Sequence, residues 1–171
     1  MLVNLADVLT SEGMDIAREV PLEMTCYGNG TESFEILSAS PMSFTVSNVE
    51  EGKAVLKGSA EVSLRAACGR CLAEVTVALA LEFERTILSP ETEGEEMDDQ
   101  NFMDGFSLDV DALVHDEILM NWPAKILCKD DCKGICPVCG QNLNEGECGC
   151  DTFVPDPRMA VIQDIFKNKE V

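Results

Sequence analysis

The clearest signal in this chain is an alternation of apolar and polar positions through its first half. Met42, Phe44 and Val46 alternate with Ser43, Thr45 and Ser47, and Gly52 then marks a hairpin turn between Val49 and Lys53. Beyond the turn, Leu56, Ala60, Val62, Leu64 and Ala66 share one face, while Lys57, Ser59, Glu61, Ser63 and Arg65 share the other. The period resumes after Cys68-Gly-Arg-Cys71, with Val75, Val77, Leu79, Leu81 and Phe83 set against Glu74, Thr76, Glu82 and Glu84. A period of two belongs to a strand with one buried face. Two such strands joined across residues 68–71 make a long hairpin, which needs more strands or a helix over its apolar face to be stable. The first half is therefore expected to be an antiparallel β-sheet or small barrel. Residues 1–31 are less regular: Leu2, Leu5, Val8 and Leu9 suit a short helical face, and Asn29-Gly30 suits a turn.

The pattern changes after the hairpin. From Ser89 to Gln100 apolar residues are few, acidic side chains crowd together, and no Lys or Arg occurs between Arg85 and Lys125. Charge of one sign at that density predicts a linker. Helical spacing then appears in Val110, Leu113, Val114, Ile118 and Asn121, with Asp109 placed to cap the helix and Trp122-Pro123 to end it. His115, the single histidine, is expected to face solvent on this helix, because no nucleophile or second base accompanies it. Asp156-Pro157 suits the start of a final helix with Met159, Ile162 and Phe166 as its apolar stripe. The expected organisation is an antiparallel β domain over 1–88, an acidic linker over 89–106, and over 107–171 a helix, a Cys-rich metal-binding module and a C-terminal helix. The class is α+β: a sheet or small barrel with a long hairpin, then helices and a Cys-rich zinc module.

Length and charge narrow the function. At 171 residues the chain suits one ordinary domain, or a modest domain with an appendage, and excludes a large multidomain enzyme. No basic leader with a long apolar run opens it, and no apolar stretch is long enough to span a bilayer, so a cytoplasmic protein without membrane attachment is expected. Twelve basic against thirty-two acidic side chains give a formal charge of −20. Such a surface repels nucleic-acid phosphates and favours a basic protein partner.

Nine cysteines carry the candidate chemistry. In a reducing compartment they argue for metal ligation over disulfides. Six of them, Cys128, Cys132, Cys136, Cys139, Cys148 and Cys150, lie in one short segment rich in Gly and Asn, with too few apolar residues for a core. Thiolates converging on a tetrahedral ion would give that segment a shape. Cys136-Pro-Val-Cys139-Gly140 has the form of a metal knuckle: the two-residue gap lets both sulfurs face one ion, and Gly140 permits the tight turn. Cys68 and Cys71 share the gap. A redox pair would require a helix after it, where an alternating strand follows instead. Cys132-x3-Cys136-x2-Cys139 also has the spacing of a radical-enzyme iron-sulfur site, but such enzymes need a larger barrel. Zinc is the expected ion, either one bound within residues 128–150 or two, with Cys68 and Cys71 completing eight ligands and clamping the hairpin tip to the C-terminal module. Closure by sulfur alone makes the role structural. Cys26 stands apart and is expected to be a partly buried strand residue with a spare thiol.

Four pieces in order, CGRCLAEV, DVDALVHDEILMNWP, CKDDCKGICPVCGQNLNEGECGC and DPRMAVIQDIF, resemble the YceD family of large ribosomal RNA subunit accumulation proteins over roughly residues 56–168. The resemblance implies a non-enzymatic role in accumulation or maturation of large-subunit (23S) rRNA. It carries no catalytic residue onto any position. Joined to the charge, it points to a basic large-subunit ribosomal protein or a pre-50S particle as partner, with any rRNA contact indirect. Arg65, Arg70 and Lys57 are candidates for a local basic spot at the hairpin. Two other classes fit less of the chain: a zinc- or thiol-based regulator, and an rRNA-processing enzyme, which would need clustered acid and base groups.

Overall fold

The computed structural model describes residues 1–11, 13–90 and 100–151. They fall into two units, one made of Met1–Ala67 and Glu74–Ile126, the other of Cys68–Ala73 and the segment that begins at Leu127.

In the first unit the chain forms β1 (Leu2–Asn4), α1 (Ala6–Thr10), β2 (Asp15–Val20), β3 (Cys26–Gly28), β4 (Ser33–Ala39) and β5 (Met42–Glu50). It continues through β6 (Lys53–Ala67), β7 (Glu74–Leu88), β8 (Met103–Asp104), β9 (Ser107–Asp109) and α2 (Val110–Met120). Strand β6 organises the larger sheet. Along one edge it pairs with β7 over its whole length, from Lys53 opposite Leu88 to Ala67 opposite Glu74. Its other edge is shared, with β5 against Lys53–Ser59 and β4 against residues 62–65. The chain passes from one of these strands to the next through Ser40-Pro41, and proline has no N–H to give a sheet. Ser40 bridges the gap: its N–H donates to the Glu61 carbonyl at 2.8 Å, and its hydroxyl accepts from the Glu61 N–H at 2.9 Å. Strands β3 and β2 extend the sheet outward from β4 and β5, and every pairing is antiparallel.

The apolar stripe of β6 is interrupted at Gly58, and the structure gives the reason. A Cβ at Gly58 would lie 2.6 Å from the ring of Phe83, its register partner on β7. The phenyl group fills the place a side chain would take. Leu56, Leu64, Leu81 and Ile87 of the sheet then pack with Leu5, Val8 and Leu9 from α1 and its start, and with Leu108, Val110, Leu113, Val114 and Ile118 around α2. Burial of such side chains contributes roughly 1.5–3 kcal/mol each, so this unit has a core of its own.

Helix α2 begins as its sequence predicts, with the Asp109 carboxylate accepting from the N–H groups of Asp111 and Ala112 at 3.1 and 3.3 Å. Its inner face differs in one position. Asn121 is exposed, and Glu117 is the polar residue that turns inward, 2.7 Å from Arg85 Nε on β7. The short sheet β1-β9-β8 completes the unit.

The described chain is mostly antiparallel sheet, as the alternation predicts, and is richer in β structure than the expected α+β class with its several helices. Of the predicted linker, residues 91–99 lie outside the described residues, and Met103–Asp104 form β8. The predicted final helix from Asp156 also lies outside them. No helix among the described residues is long and apolar enough to cross a membrane.

The second unit contains no helix or strand among its described residues, only an isolated bridge between Ile135 and Asn142. Among those described residues the buried ones are Cys68, Cys71, Cys132, Gly134 and Cys136, while Leu72, Ile135 and Val138 are exposed. Among the described residues of this unit, cysteine is buried where an apolar side chain would be in an ordinary core.

Candidate metal centre

Two backbone turns place the first thiols, and they share one hydrogen-bond pattern. In Cys136–Gln141, the Cys136 N–H donates to the Gln141 carbonyl and the Gly140 N–H to the Cys136 carbonyl, each at 2.8 Å. Across Cys68–Ala73, the Cys68 N–H donates to the Ala73 carbonyl at 2.8 Å, and the Leu72 N–H to the Cys68 carbonyl at 3.0 Å. Both loops are therefore knuckles that turn two sulfurs to the same side. Each needs a left-handed residue after its second cysteine: Gly140 at φ 76°, and Leu72 at φ 60°. Glycine adopts that region freely, whereas a leucine pays of order 1 kcal/mol for it. The two-residue gap marks the hairpin pair in the sequence, but the leucine makes it a weaker signal than the first knuckle, where a glycine follows the second cysteine.

The eight thiols gather as two groups of four, Cys68, Cys71, Cys128 and Cys132, and Cys136, Cys139, Cys148 and Cys150; within each group the sulfurs lie within 4.8 Å of one another. Cys68 and Cys132 have their sulfurs 3.8 Å apart, Cys71 and Cys128 3.5 Å. A disulfide would bring two sulfurs to about 2.05 Å. Four thiolates about 2.3 Å from one tetrahedral ion stand about 3.8 Å apart. The spacing fits a shared ion, and either group could hold one.

The electrostatics agree with that fit. Backbone N–H groups of Cys71 and Arg70 lower the Cys68 thiol to about 6, and those of Cys139 and Val138 lower Cys136 to about 6. Cys132 is also lowered, first by the side-chain amide of Asn144. The partners move the other way: contact with Cys71 pushes Cys128 up to about 12, and contact with Cys139 and Cys148 pushes Cys150 up to about 12. Cys68 and Cys132 in one group and Cys136 in the other give up a proton more readily than a free thiol, and their charge opposes ionisation of their neighbours. A cation at the centre would relieve that repulsion.

Side chains that the cysteine spacing does not reveal complete the surroundings. The Arg70 Nη1 donates to the Cys132 carbonyl at 2.8 Å, joining the hairpin tip to the segment that carries Cys128 and Cys132. A Cβ at Gly134, φ 80°, would stand 3.1 Å from the Arg70 carbonyl oxygen, so the close approach calls for glycine there. Asn144 Nδ2 lies 3.3 Å from Cys132 Sγ, and the Val138 N–H donates to Cys136 Sγ at 3.4 Å. The only signal for Asn144 in the sequence is the density of asparagine between Gln141 and Glu145.

Other expectations need correction. Cys26 lies on β3 but is exposed, because Tyr27 beside it takes the inward position. His115 is only half exposed: its ring packs on Tyr27 at 4.9 Å and its Nε2 lies 2.9 Å from the Gly28 carbonyl. The basic spot is absent as such. Arg65 pairs with Glu35 at 2.9 Å, Lys57 with Glu84 at 3.2 Å, and Arg70 is committed to Cys132.

The family model described as large ribosomal RNA subunit accumulation protein YceD matches residues 56–166. The chain belongs to the YceD family. Among curated proteins and among solved structures, nothing matches it significantly. The YceD match begins within β6 and takes in all eight clustered cysteines, both knuckles and α2. The family is named as an accumulation factor, and its name suggests a role in accumulation of the large ribosomal RNA subunit.

Proposed function

We propose that this YceD protein is a non-enzymatic ribosome biogenesis factor that supports accumulation or maturation of large-subunit rRNA in the cytoplasm. It acts through a basic large-subunit ribosomal protein or an assembly intermediate. The family match over residues 56–166 carries this reading. The charge of −20 supports a basic protein as the direct partner, since a surface of that sign repels an RNA backbone.

Cys68, Cys71, Cys128 and Cys132 would hold one zinc ion, and Cys136, Cys139, Cys148 and Cys150 a second. Each ion, when bound, supplies a cross-link among backbone segments whose described residues bury thiols rather than aliphatic or aromatic side chains. Four sulfurs leave no position for water, so the ions are structural and the unit they shape is a candidate docking platform. With the coordination closed by sulfur, neither ion offers a site at which water could be activated, which favours a binding role over rRNA cleavage.

The test is affinity purification of the tagged protein from cells at low and high salt. The expected result is a basic large-subunit protein recovered at low salt and lost as salt rises. Recovery of rRNA free of ribosomal protein would overturn the partner assignment.

A further inference from the structure

We propose that the two four-sulfur groups are coupled through Asn144, so that an ion in the Cys136, Cys139, Cys148 and Cys150 group prepares the other group for its own ion. This rests on the metal reading above. The side chain of Asn144 is committed at both ends. Its Nδ2 donates to Cys132 Sγ at 3.3 Å and to Asn142 Oδ1 at 2.8 Å, and its Oδ1 accepts from the Lys133 N–H at 2.9 Å. It therefore holds the sulfur of one group and the backbone next to that sulfur.

The loop that carries Asn144 belongs to the other group. Gln141 closes the Cys136–Gln141 knuckle through its bond from Cys136, Ile135 bridges to Asn142, and the Leu143 N–H donates to the Gly134 carbonyl at 2.9 Å. Downstream the same chain reaches Cys148 and Cys150. An ion bound by these four sulfurs fixes both ends of residues 140–147, and with them the position of the Asn144 amide. The two groups also differ in how they assemble. One draws on the continuous segment 136–150; the other brings Cys68 and Cys71 to Cys132 and Cys128 across sequence separations of 64 and 57 residues. The local group loses less chain entropy on closing and fills first. The distant group then meets a thiolate already oriented and hydrogen-bonded, as outer-shell partners of metal ligands do elsewhere at 10- to 100-fold in affinity. Asn144 is thus a positioning residue, and the coupling is a property of the pair of sites.

Stepwise Co2+ titration of the reduced, metal-free full chain, read by thiolate-to-metal absorption and by native mass spectrometry, tests this. Wild type is expected to take two ions in two steps. Cys71→Ser should remove the second step and leave the first unchanged. Cys148→Ser should leave the distant group about 10- to 100-fold weaker than the wild-type second step, although its own four ligands are intact. Asn144→Ala should weaken the second step by a similar factor. Asn144→Asp, which keeps the acceptor for Lys133 but loses the N–H to sulfur, should do so too. Combining Asn144→Ala with Cys148→Ser should add little further, because both remove the same link. Additive effects, or a second step within twofold of wild type in Asn144→Ala or Asn144→Asp, would overturn the coupling while leaving the metal reading intact. A wild-type chain that takes up no ion would overturn both.

Discussion

Two side chains show how local chemistry sets the cost of this fold. Glu117 is buried, 3% exposed, and its carboxylate rests on Arg85 alone among the described side-chain contacts. Arg85→Ala would leave that charge without a partner, and a buried carboxylate so stranded costs about 3 kcal/mol. Denaturant unfolding should show the loss, and Glu117→Gln combined with Arg85→Ala should recover part of it. Leu72 presents the opposite case. It is 67% exposed and sits at φ 60°, so it contributes little burial and carries backbone strain. Leu72→Gly is expected to relieve about 1 kcal/mol of that strain, seen as slower loss of metal to a chelator. Faster loss would mean that the leucine side chain has a contact worth more than the strain. Neither effect is visible from hydrophobicity, which counts Leu72 as a core candidate and Arg85 as a surface residue.

At the level of strands and helices, length decides what can be read from the chain. The strands β6 and β7 each run for 15 residues, long enough for the two-residue period to declare itself and for a face to be assigned. Strands β1, β3 and β9 have 3 residues each, and β8 has 2, too few for any period to show. Their positions come from partners elsewhere, such as Val3 opposite Leu108 and Tyr27 opposite Phe34. Helix α2 was legible at its start because Asp109 is a local signal that needs no tertiary partner. Asp109→Ala should cost about 1 kcal/mol and lower the melting temperature by a few degrees, with the sheet unchanged by circular dichroism. A larger loss accompanied by altered sheet signal would mean that Asp109 also secures β9 against β1.

For the molecule as a whole, the two units rest on different physics. The first has a buried apolar core; the described residues of the second bury thiols and a glycine. Thorough chelation under reducing conditions should therefore remove hydrogen-exchange protection from amides of residues 127–151 while those of β6 and β7 keep theirs. Equal protection before and after chelation, with no ion detected, would remove metal from the account of this unit. Local pattern was enough to foretell the long hairpin from its alternation, the turn from Gly52 and the capped helix from its spacing and Asp109, because each depends on neighbours a few residues away. The grouping of the sulfurs was not open to that kind of reading: spacing shows that Cys68 and Cys71 turn together, and it cannot say which distant thiols face them. That choice, like the inward turn of Glu117 onto Arg85 and the reach of Asn144 to Cys132, depends on where the folded backbone brings residues far apart in the chain.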